Sequence, residues 1–284
     1  MPSWAITGAS RGIGSADVGN QVFALIRRQP SAELSKLDSE RENLHIIKAD
    51  VTDAQSLSEA AAKVGELTEN KLDVFISNAC HPGLDLRFYP TSAFLGKEKE
   101  LKNEIDAPVR LLSALYRPPR RLFFFFFFFF ERYMSVNLIG AISSINCFLP
   151  LIRNGELKKI IYITSPTGDA EFTRKCGVTV TIGYTATKAA MNLVMSKYAA
   201  ELKGEGIKTL ALSPGWVDTD GTRDMAPTPE VLEMALQMFQ KVNPDLTRLL
   251  SPEESVRMQL DVINNLTEEQ SGLTLSHHGD HNWI

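Results

Sequence analysis

SWAITGASRGIG, residues 3–14, reads as a short apolar strand running straight into a glycine-rich turn. Glycines at such a strand–helix junction let the backbone come close to a pyrophosphate, and a helix N-terminus there favours its negative charge. A glycine-rich turn by itself is a weak signal, and an ordinary tight turn is the plain alternative. The pattern of the downstream chain gives it weight. Apolar runs at Gln21–Ile26, Leu44–Lys48, Leu72–Ser77, Lys158–Thr164, Ile207–Ser213 and Leu273–Leu275 are expected strands. They are nearly continuous in apolar residues, as strands buried on both faces are. Helical patterns alternate with them. Asp53 caps one through Thr68, Glu131–Asn154 stops at Gly155, Tyr184–Leu202 stops near Gly204, and Ser251–Asn265 opens with SPEE. The alternation predicts an α/β fold, a single Rossmann-like doubly wound domain over 1–284. Its sheet is mostly parallel and seven-stranded, in the order 3-2-1-4-5-6-7.

Composition narrows the classes. The chain has 284 residues, 44% of them hydrophobic and 23% charged, which suits a folded domain. A net charge of -4 argues against nucleic acid or an anionic membrane as the main partner, since both select clustered Lys and Arg. Three cysteines without a CxxC pair point to free thiols in a reducing compartment. No run approaches the ~18 apolar residues of a spanning helix, and no leader pattern opens the chain, so a cytoplasmic protein is expected. HHGDH at 277–281 lacks the partner spacing of a metal site and reads as a solvated C-terminal segment, so no metal is expected.

A second signal is YTATK, Tyr184 to Lys188. Residues four apart share a helix face, and an ammonium near a phenol favours the phenolate, lowering the Tyr184 pKa from about 10 toward the working range. Such a Tyr can pass a proton to or from a carbonyl or alcohol oxygen. Ser165 follows the strand KKIIYIT at its C-terminal end, where open α/β sheets bind ligands, so its hydroxyl could hold the same oxygen. Taken singly, the Tyr–Lys pair reads as a surface pair and Ser165 as a turn residue.

Together, TGASRGIG, Asn78-Ala79, Asn137 in SVNLIG, Ser165 in TSPTG, YTATK and Pro214-Gly215 in SPGWVDT occur in one order. This order resembles the short-chain dehydrogenase/reductase superfamily. PGWVDTD, SPEESV and Trp283 resemble its carbonyl-reductase branch, which includes C-factor-like and fungal norsolorinic acid ketoreductase-like proteins. The likeness covers most of the chain except about 82–130. It implies that Tyr184 is the general acid in carbonyl reduction, the base in the reverse, and, with Lys188, a cofactor-binding residue. Lys188 would lower the Tyr184 pKa and hold the nicotinamide ribose. Ser165 would stabilise the substrate oxygen, and Asn137 would kink its helix and anchor a water. Gly8, Ser10, Arg11, Gly12, Ile13 and Gly14 match the pyrophosphate turn. Asp50 and Val51 match the adenine contact, Asn78 and Ala79 the segment beside the adenine ribose, and Pro214, Gly215, Val217 and Thr219 the nicotinamide clamp. The second strand ends FALIRR with no acid, so Arg27 and Arg11 favour NADP (NADPH) over NAD. The implied partner is a small-molecule carbonyl or alcohol substrate, with a homo-oligomer as a further expectation. The alternative is a non-catalytic nucleotide-binding or damaged family member.

Three departures stand out. Cys80 takes the place of a usual glycine, where its Cβ either crowds the turn or is tolerated at negative φ. Residues 8–20 alone separate the first two strands, and the turn takes up 8–14. The remaining six would span about 9 Å as a helix. Returning along the strand needs about 17 Å. Asn78 and Asn137 are 59 residues apart, and the excess at 82–130 ends in a run of eight Phe, 123–130. That run has no helix or strand period. The shortened crossover and this anomalous insertion are expected to be errors of coding-sequence assignment, a lost exon segment and a translated intron end. A real lid or membrane-docking loop is the rival reading.

Overall fold

Five- and six-residue runs of apolar side chains need cover on both faces, and the computed structural model shows how they get it. It describes residues 1–9, 20–81, 131–226 and 228–284. The expectations placed on Ser10, Arg11, Gly12, Ile13 and Gly14, and on the 82–130 insertion with its Phe run, lie outside the described residues. The strands are β1 (Ser3–Thr7), β2 (Gln21–Ile26), β3 (Leu44–Lys48), β4 (Val74–Ser77), β5 (Lys159–Ile163), β6 (Lys208–Ser213) and β7 (Thr274–Ser276). They form one sheet in the order β3-β2-β1-β4-β5-β6-β7, as the sequence predicts, and every pairing is parallel. β1 and β2 pair in register from Ser3 opposite Gln21 to Thr7 opposite Leu25.

Alternate side chains divide the core between the two faces. On one face Phe23, Phe75, Ile160 and Tyr162 pack under α2 (Ala54–Leu67), α3 (Gly140–Asn154) and α5 (Ile182–Leu202). On the other, Trp4, Ile6, Val22, Ile161 and Ile163 meet α1 (Ala32–Glu40) and α8 (Pro252–Asn264). Caps set several helix ends where the sequence places them. Asp53 accepts from Gln55 and Ser56 backbone N–H groups, and Ser251 with Glu254 closes a reciprocal capping box behind Pro252.

Two expectations fail here. The spacing of 19 between Ser165 and Tyr184, somewhat long for the resembled superfamily, predicts a loop at EFTRKCGVTVTIG, 171–183, yet a short helix, α4 (Ala170–Cys176), occupies its first half. Asp169 accepts from the Phe172 N–H at its start, and Gly177 ends it at φ 73°. The expectation that no run could cross a membrane is also corrected. The helical stretch Glu131–Asn154 is long and apolar enough, with mean hydropathy 1.6 over its best window. More than half of that window is buried, 56%, because this helix packs on the sheet beside α2. It is the apolar element at the centre of one layer, and its hydropathy reflects that burial.

Two further helices, α6 (Asp220–Met225) and α7 (Pro229–Gln240), follow β6. Phe172, Cys176 and Trp283 form a small separate core, with Phe239 packed against it. Trp283 is thus packed, only 6% exposed, while within HHGDH, 277–281, His278 and His281 are exposed as expected and His277 is buried, against the expectation.

Candidate active site

Gly8, Asn78 and Ser165 lie just beyond the C-terminal ends of parallel strands β1, β4 and β5. β5 delivers Ser165 two residues past its last paired position. The Ser165 hydroxyl accepts from the Thr167 N–H at 3.3 Å, capping a single 3-10 turn, Pro166–Gly168. α5 then brings Tyr184 in its first turn and Lys188 one turn later. Gly168 lets the two elements close up, since a Cβ there would stand 3.0 Å from Lys188 Cβ and 3.1 Å from the Ala189 nitrogen.

Tyr184 and Ser165, 19 residues apart in sequence, come close enough for the Ser165 hydroxyl, itself paired with Thr167 Oγ1 at 3.0 Å, to act on the Tyr184 phenol. Lys188 Nζ stands 5.5 Å from the centre of the Tyr184 ring. It is 3% exposed and donates to the Ile163 carbonyl at 2.6 Å. The three residues expected from sequence to converge therefore do so.

The expected pKa is not found. Burial of the phenolate pushes the Tyr184 hydroxyl up to about 12. Lys188 and the Ser165 hydroxyl act downward, whereas Cys80 and Tyr162 act upward. The direction expected of Lys188 is right, but desolvation of an enclosed phenol outweighs one ammonium.

Asn137 lies in a π-helical turn, Met134–Ile139, at the head of α3, so the expected distortion of its helix is present. Its side chain is fully buried. Oδ1 accepts from the His81 N–H at 2.7 Å, and Nδ2 donates to the His81 carbonyl and to Thr187 Oγ1, each at 3.2 Å. Thr187 donates in turn to the Tyr184 carbonyl at 2.7 Å. Asn137 thereby couples the chain beyond β4 to the first turn of α5. Cys80 is exposed and is not among the residues at positive φ, so the thiol in place of glycine is accommodated.

The edge of β1 fits a dinucleotide. Gly8 has φ 68°, and a Cβ on it would stand 2.7 Å from Ala79 Cα and 2.9 Å from Ala79 N. Asn78 and Ala79 donate their backbone N–H groups to Thr7 Oγ1 at 3.0 and 3.1 Å, and Asn78 Nδ2 donates to the Gly8 carbonyl at 3.2 Å. Bare backbone is thus presented where β1 and β4 end. At the tip of β2, Arg27 and Arg28 are exposed. Burial acts upward on the Asp50 carboxyl. Hydrogen bonds from Thr52 and the nearby Arg27 outweigh it and hold the carboxyl below the usual range. Val51 stands against Gly140 at the head of α3.

The 214–219 loop is held from below. Ser255 donates to the Pro214 carbonyl at 2.7 Å, Val217 bridges to Leu250, and Thr219 caps α6 by accepting from the Thr222 N–H. Gly215, at φ 83°, faces His277, whose Cε1 would lie 2.8 Å from a Cβ there. Sequence reasoning placed His277 in solvent, but it is 3% exposed. It directly follows β7, and a residue at the carboxyl end of a strand was the signal that could have found it.

Burial first, and then His278, brings His277 down to about 4, with Asp280 opposing. Its folded pKa is thus below the unfolded value of about 6.5, and the unfolded chain takes up the proton first on acidification. Stability is expected to fall by about 2 kcal/mol as pH drops from 6.5 to 4, with no further loss from this group below that. Urea melts of the wild type and of His277→Leu check this. The variant should lack that portion of the acid sensitivity, and parallel curves would refute it.

Among known proteins, the sequence profile described as short chain dehydrogenase matches residues 4–100 and 129–230, leaving 101–128 unmatched. The short-chain dehydrogenase/reductase atnB of Arthrinium sp is 76% identical, with both chains fully covered. The short-chain dehydrogenase/reductase AacuF of Aspergillus aculeatus is 34% identical, again over both full lengths. Among solved structures, an NADPH-bound carbonyl reductase from chicken fatty liver superposes with a TM-score of 0.69 at 24% identity, covering 99% of this chain and 98% of that one. The Pseudomonas aeruginosa RhlG/NADP active-site complex gives 0.66 at 22% identity, covering 99% and 96%.

Proposed function

This chain belongs to the short-chain dehydrogenase family, and from that premise we propose that it is an NADP(H)-dependent oxidoreductase that reduces a ketone or aldehyde to an alcohol, or catalyses the reverse. The observation that carries the proposal is the convergence of Ser165, Tyr184 and Lys188 at the sheet edge where Gly8 and Ala79 present bare backbone. The two superposed structures hold NADPH and NADP, which supports the same cofactor here.

When bound, the cofactor supplies the hydride that reaches the carbonyl carbon. The chain's own residues manage the oxygen. Ser165 donates to it, and Tyr184 delivers its proton as negative charge develops there. A phenol held at about 12 is fully protonated at neutral pH, which is the form an acid must have. The ammonium of Lys188 would offset the charge left on the phenolate and would hold the cofactor ribose. Asn137 keeps the His81 segment and the first turn of α5 in register.

The test is oxidation of NADPH against NADH with a panel of hydrophobic ketones and aldehydes. NADPH should be preferred, and Arg27→Glu should lower the NADPH/NADH ratio of kcat/KM by about tenfold or more, the scale of one charge-assisted contact. Equal rates with both cofactors, or a ratio insensitive to Arg27, would overturn the assignment of the 2'-phosphate to this arginine.

A further inference from the structure

We infer that Tyr162 is a positioning residue of this site: its ring bears the ammonium of Lys188 and holds it where it acts on Tyr184. The inference rests on the roles proposed above for Tyr184 and Lys188. Nothing in the sequence marks Tyr162, which reads as one more apolar position in KIIYI.

Lys188 is buried, and no described carboxylate pairs with it. Its ammonium donates to the carbonyl of Ile163. The adjacent residue on β5, Tyr162, is 1% exposed and points to the same face of the sheet as α5. Lys188 Nζ stands over that ring, 4.7 Å from its centre, closer than to the Tyr184 ring at 5.5 Å. A cation within about 6 Å of an aromatic face is attracted by the ring quadrupole, most strongly where water is excluded. Successive residues of one strand therefore supply a carbonyl and a ring face to one ammonium. Two residues on, the same chain supplies Ser165.

The hydroxyl of Tyr162 is a separate matter. It is buried and has no hydrogen-bond partner among the described residues, so it adds nothing to the hold on Lys188. The ring alone is assigned the role. An aliphatic side chain would fill the core but leave the ammonium without that face. Nζ would then settle elsewhere, and Tyr184 would lose part of the downward pull that Lys188 exerts on its pKa.

The test separates ring electrons from volume. Titratable groups facing the centre are Tyr162 from β5, Tyr184 and Lys188 from α5, and Cys80 beyond β4, with His81 next to it. In the alcohol-oxidation direction the rate rises with pH as Tyr184 ionises. Tyr162→Leu is expected to lower kcat about tenfold and to move that rise to higher pH. Tyr162→Phe, which keeps the ring, should recover most of the loss. Replacing Tyr162 with 3,4,5-trifluorophenylalanine, nearly the same shape with an electron-poor face, should reproduce the Leu defect at unchanged thermal midpoint. Equal kcat and pH profile for the Phe and trifluoro variants would overturn the inference, as would a Phe variant as impaired as Leu. A readout free of turnover is the Lys188 ε-methylene resonance in 13C-lysine-labelled protein, assigned with Lys188→Arg. It should lie upfield from the ring current in the wild type and Tyr162→Phe, and return in Tyr162→Leu. An unshifted wild-type signal refutes the contact. A shifted signal in a protein without turnover would instead sink the proposed function.

Discussion

Tyr184→Phe is expected to lower kcat for carbonyl reduction by about 10²–10⁴-fold, the range typical of a lost general acid. NADPH binding, read by fluorescence titration, should stay within about threefold of wild type, because the ring of Tyr184 and the rest of the cofactor site are kept. The ring stays, so the fold should stay, and only the phenol hydroxyl is removed. The wild-type pH profile is set by the same group. A phenol at about 12 is protonated throughout the neutral range, so reduction should be flat there with respect to Tyr184 and oxidation should rise with pH. Stopped-flow oxidation of NADPH with a saturating carbonyl substrate measures both. A Tyr184→Phe enzyme as fast as wild type would end the mechanism, whatever the cofactor affinity.

Gly8→Ala is expected to remove both stability and cofactor binding. The backbone at Gly8 is left-handed, φ 68°, where a side chain costs about 1–2 kcal/mol. The added Cβ would also stand 2.7 Å from Ala79 Cα, a backbone atom that cannot swing aside. Overpacking of this kind adds about 1–3 kcal/mol, for a total of about 2–5. Relief requires β1 and β4 to separate at the edge where Thr7 accepts from Asn78 and Ala79, and that edge is the expected floor of the dinucleotide site. NADPH affinity should fall at least about tenfold in the fraction that folds. Gly204→Ala is the control, since nothing lies within 4 Å of a Cβ there and its φ is not left-handed. Matching urea midpoints for the two alanine variants would show that the close approach at Gly8 carries no strain.

Much of the architecture is legible in local spacing. Apolar runs give β1, β2 and β3 with the bounds expected, and Asp53 and the Ser251–Glu254 box start their helices as expected. These signals survive folding because each depends on neighbours a few residues away. α4 escaped because Ala170–Cys176 is short and its apolar residues serve a small outlying core shared with Trp283.

The residues that would carry the chemistry could be picked out from order and spacing, because a Tyr and a Lys four apart must share a helix face and a residue just past a parallel strand must lie at its carboxyl edge. The tertiary structure alone decided what those groups are. Burial from several elements raises Tyr184, closure of β7 against Gly215 buries His277, and the register of β5 against α5 puts the ring of Tyr162 beneath Lys188. Desolvation and through-space charge depend on atoms brought together from distant parts of the chain, and no local pattern encodes their sum.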